Sequence, residues 1–113
     1  MKDLRKDAED NKLMGILAYL GILFLVPYLA AKESPFAKFH ANQGCVLFIV
    51  EIALVVVLQM LWVLLPLGLY LIIRLLSSMV YLGIIVLAIL GIINAVKGEM
   101  KELPVIGKYT ILK

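Results

Sequence analysis

The chain has 113 residues, a length that is typical of one domain, and its formal net charge is +3. Its residues are 64% hydrophobic and 17% charged, whereas soluble domains have roughly 45–50% and about 25%. Since so small a chain cannot bury that much apolar surface in its own core, the composition excludes an ordinary soluble domain and predicts a membrane protein.

The chain begins with two segments of contrasting character. Residues 1–12 are charged, close to neutral overall and without an apolar face, so we interpret them as a short tail or as the first turns of an extended helix. Residues 13–31 contain no charge and nearly reach the roughly 20 residues that cross a bilayer, which predicts the first transmembrane helix. Its small residues form a stripe along which another helix can approach closely: Gly15, Ala18 and Gly21.

The second predicted helix has a clear start signal. Ser34 and Pro35 are typical of a helix cap and a first helical turn. We expect a helix to begin there, at the membrane interface, and to continue into a second transmembrane segment over residues 42–65. Pro66 and Gly68 then mark a turn.

Residues 67–96 are predicted to form a third, tilted transmembrane helix. Arg74 and two serines interrupt this run, so an alternative is that it divides and the chain has four membrane segments. Gly91 and Ala95 have the spacing of a close-packing helix face. Lys97 and Gly98 are typical of a helix end, and residues 97–113 are expected to lie along the membrane surface.

The whole chain, residues 1–113, is therefore predicted to be a single all-α integral membrane domain. It would have three transmembrane helices, an interfacial helix start before the second and a surface-lying C-terminal tail. By the positive-inside rule, we expect the 32–40 loop and the C-terminal tail in the cytoplasm, in a prokaryotic cell membrane. Three spans would place the N-terminal tail on the opposite side.

Four polar residues lie within the predicted spans. Glu51 and Arg74 differ in depth by roughly 10 Å when both are counted from the turn at Pro66, so a direct salt bridge is not expected. We predict that Arg74 lies near Gln59 or extends to the surface. Glu51 is expected to form a hydrogen bond with Tyr81 or to be protonated. Its role is either that of a structural polar residue or that of a group that carries protons or substrate.

A second polar cluster is predicted at one membrane edge. Counting from the turn places Asn94 level with about Lys38, close to the polar residues that follow it. The cluster, functional or structural, comprises His40, Asn42, Gln43, Asn94 and Lys97. The segment FHANQ should therefore touch the segment NAVKGE.

The residue types of catalytic sites are missing from the sequence. A single histidine and a single cysteine do not make a zinc site, and aspartate does not occur beyond residue 10. We therefore expect no catalytic residues, no metal, no cofactor and no enzymatic activity. Its basic residues lie in the tails and the 32–40 loop, where they favour lipid headgroups over nucleic acid.

Three short motifs resemble a known family. They are LAYLG at residues 17–21, SPFAKFHANQ at 34–43 and KGEMKELPVIG at 97–107. In their order and spacing they are similar to small prokaryotic membrane proteins related to the twenty-kilodalton Tic subunit of chloroplast protein import. That resemblance implies four spans and a link to a protein-conducting translocon, although this chain lacks the first span.

Two functions are compatible with these observations. The first is an accessory or assembly subunit associated with transport or protein translocation, acting through helix–helix contacts. Its expected partners are the lipid bilayer and further copies of the chain or other subunits of a membrane complex. The alternative is a small-solute or proton transporter or channel that uses Glu51.

Overall fold

A computed structural model describes residues 3–112, and within this range the regular secondary structure consists of helices, with no strand. The helices are α1 (Leu4–Asp10), α2 (Lys12–Leu17), α3 (Leu25–Ala30), α4 (Pro35–Leu64) and α5 (Tyr70–Val96), with 3-10 turns at Gly21–Phe24 and Leu67–Leu69. The antiparallel pair α4–α5 gives the molecule its elongated shape, 60 by 22 by 20 Å.

The predicted start of α4 is confirmed. The Ser34 side chain accepts a hydrogen bond from the Ala37 backbone N–H at 3.0 Å, and Pro35 occupies the first turn. The helix then continues for 30 residues, or about 45 Å. It ends where Leu65 adopts an extended conformation, which is the conformation favoured before a proline such as Pro66.

Two segments are long and apolar enough to cross a membrane: Pro35–Leu64 and Leu67–Val96. The prediction of one helix over residues 13–31 requires correction, because the structure divides this segment into α2, a 3-10 turn and α3. The break falls at Gly21, whose φ of 62° is left-handed and cannot continue a right-handed helix. A third membrane-spanning helix is therefore not confirmed.

The segment from α2 to α3 folds against the long hairpin. A Cβ added at Gly44 would overlap the carbonyl oxygen of Ala18, and one added at Gly91 would overlap the Tyr19 ring. Of the predicted close-packing residues, Gly15, Ala18 and Gly91 contact other parts of the same chain, whereas a Cβ added at Gly21 would meet no heavy atom within 4 Å. The absence of a side chain at Gly44 allows the backbone of the turn after α2 to pack directly against α4.

The two clusters of buried core residues occupy one half of the molecule, while Leu58 and Ile73 are buried in the other half. One cluster comprises Ala18, Tyr19, Leu47 and Leu103, and the other comprises Ala8, Phe36 and Ala95. In the opposite half, the hairpin is only two helices thick, and its large apolar side chains are exposed, as at Leu67 (90%). An exposed apolar surface of this kind is suited to contact with the lipid chains of a membrane.

The N-terminal tail lies at the same end of the molecule as the 32–40 loop and the C-terminal tail. Asp7 accepts hydrogen bonds from the Ser34 hydroxyl and the Phe36 backbone N–H, and Ala8 packs beside Gly98. The prediction that the N-terminal tail is separated from the other two requires correction, because Asp7 contacts the start of α4 and Ala8 contacts Gly98. We call this end, residues 3–12, 31–43 and 97–112, the polar end.

Candidate functional site

The side chains of Asn42 and Gln43 hold the C-terminal tail against the start of α4. Gln43 donates to the Gly107 carbonyl at 2.8 Å and accepts from the Leu103 N–H at 2.8 Å. Asn42 donates to the Tyr109 carbonyl at 3.0 Å and accepts from the backbone N–H groups of residues 111 and 112 at 2.7 and 2.9 Å. Five bonds from two consecutive amides therefore fix a segment that has no regular structure of its own.

His40 lies one helical turn before this pair and is fully buried. Its Nε2 lies 2.9 Å from the Glu99 carbonyl oxygen and its Nδ1 lies 2.6 Å from the Tyr19 hydroxyl. Because a carbonyl only accepts, Nε2 carries the proton and donates, and in the neutral ring Nδ1 accepts from Tyr19. Both ring nitrogens are thus engaged in joining α4 to the turn after α2 and to the tail.

Three aromatic rings surround the same imidazole at edge-on angles. Their centroids lie at 4.6 Å for Phe36, 5.2 Å for Phe39 and 5.5 Å for Tyr19. Phe36 is 1% exposed and packs beside Gly15. It is therefore a core residue.

The tail follows an unusual path that brings its backbone close to Gln43. A Cβ added at Gly107 would overlap the Leu103 backbone and lie 2.7 Å from the Gln43 side-chain oxygen, so glycine is required there. Val105 has a φ of 67°, a left-handed conformation that is rare for a β-branched residue. This strain is held in place by the buried Leu103 and by the bonds from Gln43.

The structure brings the predicted cluster together with the tail, but not all of its members with each other. His40, Asn42 and Gln43 contact the tail directly. Asn94 donates only to the Lys101 carbonyl, at 3.4 Å, and Lys97 is exposed. The contact expected between FHANQ and NAVKGE is present through His40 and Glu99, while a functional role for the cluster stays a prediction.

The charged side chains of the tail interact with one another. Lys101 Nζ lies 2.7 Å from the Glu99 carboxylate. The hydrogen bond from Lys101 holds the pKa of Glu99 below its usual value, with further contributions from the charges of Lys101 and Lys97. Glu99 is therefore ionised at neutral pH, and its side chain is 33% exposed, while its backbone carbonyl faces His40.

Sequence analysis missed Asp7, which it placed in a plain charged tail. The residue is 1% exposed, and its carboxylate accepts from the Ser34 hydroxyl at 2.6 Å, the Phe36 N–H at 2.9 Å and the Asn11 amide at 2.8 Å. A carboxylate at a helix N-terminus is favoured by the exposed N–H groups there. Because its main partners lie 27 and 29 residues away, the local sequence carries no signal for this contact.

Neither of the two polar pairs expected in the long hairpin is joined by a hydrogen bond in the described chain, and the alternatives, that Arg74 extends to the surface and that Glu51 is protonated, stay predictions. Glu51 is half-buried and Tyr81 is exposed, and no hydrogen bond joins them in the described chain. Arg74 and Gln59 are both exposed, and their side chains form no hydrogen bond within residues 3–112. A role for Glu51 in transport stays a prediction.

The arrangement at the polar end is suited to fixing backbone segments. Over the described range, no three His, Cys, Asp or Glu side chains are placed to hold a metal ion. The buried side chains instead join three separate stretches of chain, with their hydrogen-bonding groups directed inward. These hydrogen bonds therefore hold the N-terminal segment, the start of α4 and the C-terminal tail together.

Comparison with known proteins gives consistent results. The family model described as the magnetosome magnetite crystal formation protein family, MamF/MmsF, matches residues 10–110. The UPF0132 membrane protein MJ1443 of Methanocaldococcus jannaschii is 39% identical, with 87% of this chain and 83% of the relative covered. Magnetosome protein MamF of Paramagnetospirillum magneticum is 34% identical, with 88% and 82% covered. No solved structure matches.

These matches overturn the resemblance to the Tic-related proteins, which was wrong. The motifs that suggested it coincide with packing contacts of the polar end, including Tyr19, Ser34, His40, Gln43 and Gly107. These short motifs therefore correspond to contacts between segments of the fold. The family is identified by the match over residues 10–110 and not by the motifs.

Proposed function

The chain belongs to the magnetosome magnetite crystal formation protein family, MamF/MmsF. We propose that it is a multi-pass membrane protein that acts as a subunit of a larger membrane assembly. In this proposal the α4–α5 hairpin crosses the bilayer and associates with further copies or with other subunits. The polar end then presents a rigid surface on one side. In an organism that builds magnetosomes, the membrane concerned would be the one in which magnetite crystals form.

The observation that carries the assembly proposal is the exposed polar stripe on α5. Helical spacing places Arg74, Ser78, Tyr81 and Ile85 along one face, and all four are exposed. Within the described residues the Arg74 guanidinium has no hydrogen-bond or ion-pair partner, and Ser78 bonds only the Arg74 backbone carbonyl. A guanidinium on a lipid-facing surface is unsatisfied unless another molecule provides acceptors.

The free-energy cost of placing Arg74 in a membrane depends on the depth of the residue. The residue lies eight positions after Pro66, or about 12 Å along the helix from the turn. At the centre of a bilayer an arginine costs about 2.5–3.5 kcal/mol, and the cost falls toward the interface. A neighbouring subunit that supplies carbonyl or carboxylate oxygens to Arg74 would remove part of that cost. The proposal requires neither a catalytic residue nor a cofactor.

Disulfide crosslinking in native membranes tests this interface. We expect the Tyr81→Cys variant, on the Arg74 face, to form crosslinked dimers or adducts with another subunit. The Met79→Cys variant is the matched control, because Met79 is 71% exposed but lies about 160° away around the same helix. The native Cys45 is buried and should not crosslink in either variant. Equal yields from the two variants, or monomers alone, would contradict the proposal.

A further inference from the structure

A small cavity lies where the N-terminal tail meets the end of α5. It has a volume of about 180 Å³ and is lined by Arg5, Ala8, Glu9, Lys12, Lys97 and Gly98. Ala8 and Gly98 are in close contact, since a Cβ added at Gly98 would lie 3.4 Å from that of Ala8. The left-handed φ of Gly98, 73°, follows the end of α5 at Val96.

The charges around this cavity favour an anion. Three cationic side chains come from three separate elements, namely α1, the first turn of α2 and the residue after α5. Against them stands a single carboxylate, Glu9, so the lining has an excess of two positive charges. In the described chain none of Arg5, Lys12 and Lys97 forms a salt bridge, although the charge of Lys97 also acts on the Glu99 carboxylate, which Lys101 binds at 2.7 Å.

The surroundings identify what kind of anion fits. Leu13 follows Lys12 directly and is 64% exposed, and Ile93 lies one helical turn before Lys97 and is 41% exposed. The cations thus sit at the polar edge of an apolar surface formed by α2 and α5. An amphipathic anion can place its charge among the cations and its chains against this surface.

We propose that this cavity binds a phosphate group, and specifically the phosphodiester headgroup of an anionic phospholipid. The guanidinium of Arg5 can form two parallel hydrogen bonds to phosphate oxygens, and the two lysines supply point charges. Basic pockets at the membrane edge of helical proteins are suited to such headgroups. The bound lipid would join the N-terminal tail to the end of α5.

Native mass spectrometry of the purified full-length protein in a neutral detergent tests the site. Phosphatidylglycerol should be retained, while phosphatidylcholine, which has no net charge, should be retained far less. The Arg5→Gln/Lys97→Gln double variant should weaken phosphatidylglycerol binding at least about 10-fold, because each basic residue near a membrane surface contributes substantially to anionic-lipid affinity. Lys12→Gln, a milder second variant, should weaken it less.

The matched control is Lys32→Gln/Lys38→Gln, which removes the same charge at the same end of the molecule but from a different cavity. This control should bind phosphatidylglycerol as the parent does. An equal loss in both double variants would show general charge attraction and overturn the site. Displacement of the lipid by inorganic phosphate alone would overturn the lipid assignment in favour of free phosphate. Unfolding midpoints should stay unchanged, since all four cations are exposed.

Discussion

At the scale of the residue, the polar end depends on side chains that bond backbone groups. Asn42 and Gln43 each use the oxygen and the nitrogen of the amide, and every partner is a backbone group of the tail. A buried backbone group that loses its partner costs about 1–3 kcal/mol. The tail, which has no helix or strand of its own, therefore owes its single conformation to these two residues and the buried Leu103.

Gln43→Ala should release the tail. It leaves the Gly107 carbonyl and the Leu103 N–H without partners, so we expect a loss of stability of about 2–4 kcal/mol. Limited trypsin digestion should then cleave faster after Lys101 and Lys108. The matched control is Gln59→Ala, an exposed glutamine on the same helix, which should change stability by less than about 0.5 kcal/mol. Equal cleavage rates in the two variants would refute the role of Gln43.

At the scale of the element, close packing depends on where small residues occur. Gly15, Gly44 and Gly91 each lie where another part of the chain approaches, whereas Gly83 on α5 has no heavy atom within 4 Å of an added Cβ. In a membrane, small residues allow helices to pack closely and gain dispersion contacts. These glycines therefore determine where α2 and the following turn dock on the hairpin.

Gly44→Ala should displace the N-terminal segment from α4. Its methyl group would overlap the Ala18 carbonyl, which is backbone and cannot rotate away, so a cost on the order of 1–3 kcal/mol is expected. Gly83→Ala is the control, expected to be neutral or stabilising by up to about 1 kcal/mol because alanine favours the helix. Thermal unfolding in detergent measures both, and similar midpoints for the two variants would contradict the packing shown here.

At the scale of the whole molecule, the charges are segregated to one end. Eight of the nine lysine and arginine residues described belong to the polar end, with Arg74 the exception, while Lys2 and Lys113 lie outside the described residues. Residues 44–65 rise about 33 Å, close to the roughly 30 Å thickness of the hydrocarbon core. A hairpin that crosses once in each direction would therefore place all three polar segments on one side, which the positive-inside rule assigns to the cytoplasm.

Labelling with a membrane-impermeant maleimide tests this topology. We expect Lys6→Cys and Lys108→Cys to react only when the cytoplasmic face is accessible, as in inverted vesicles. Gly68→Cys, in the turn of the hairpin, should react in intact cells. The parent protein, with only the buried Cys45, is the control for background labelling. Reaction of Lys6→Cys and Lys108→Cys from opposite sides would instead require a third membrane-spanning segment.

The sequence by itself determined the class of the protein and the limits of its long helices. Composition predicted a membrane protein, Ser34 and Pro35 predicted the start of α4, and Pro66 predicted the turn between the long helices, since these signals are local. Hydropathy could not show that residues 13–31 fold back, because an apolar segment of that length satisfies the same criterion whether it crosses or turns. That difference depends on Gly21 and on the fit of Ala18 against Gly44, which are contacts in three dimensions. The tertiary structure alone decided that Asp7 is buried at the start of α4 and that both tails meet at one end.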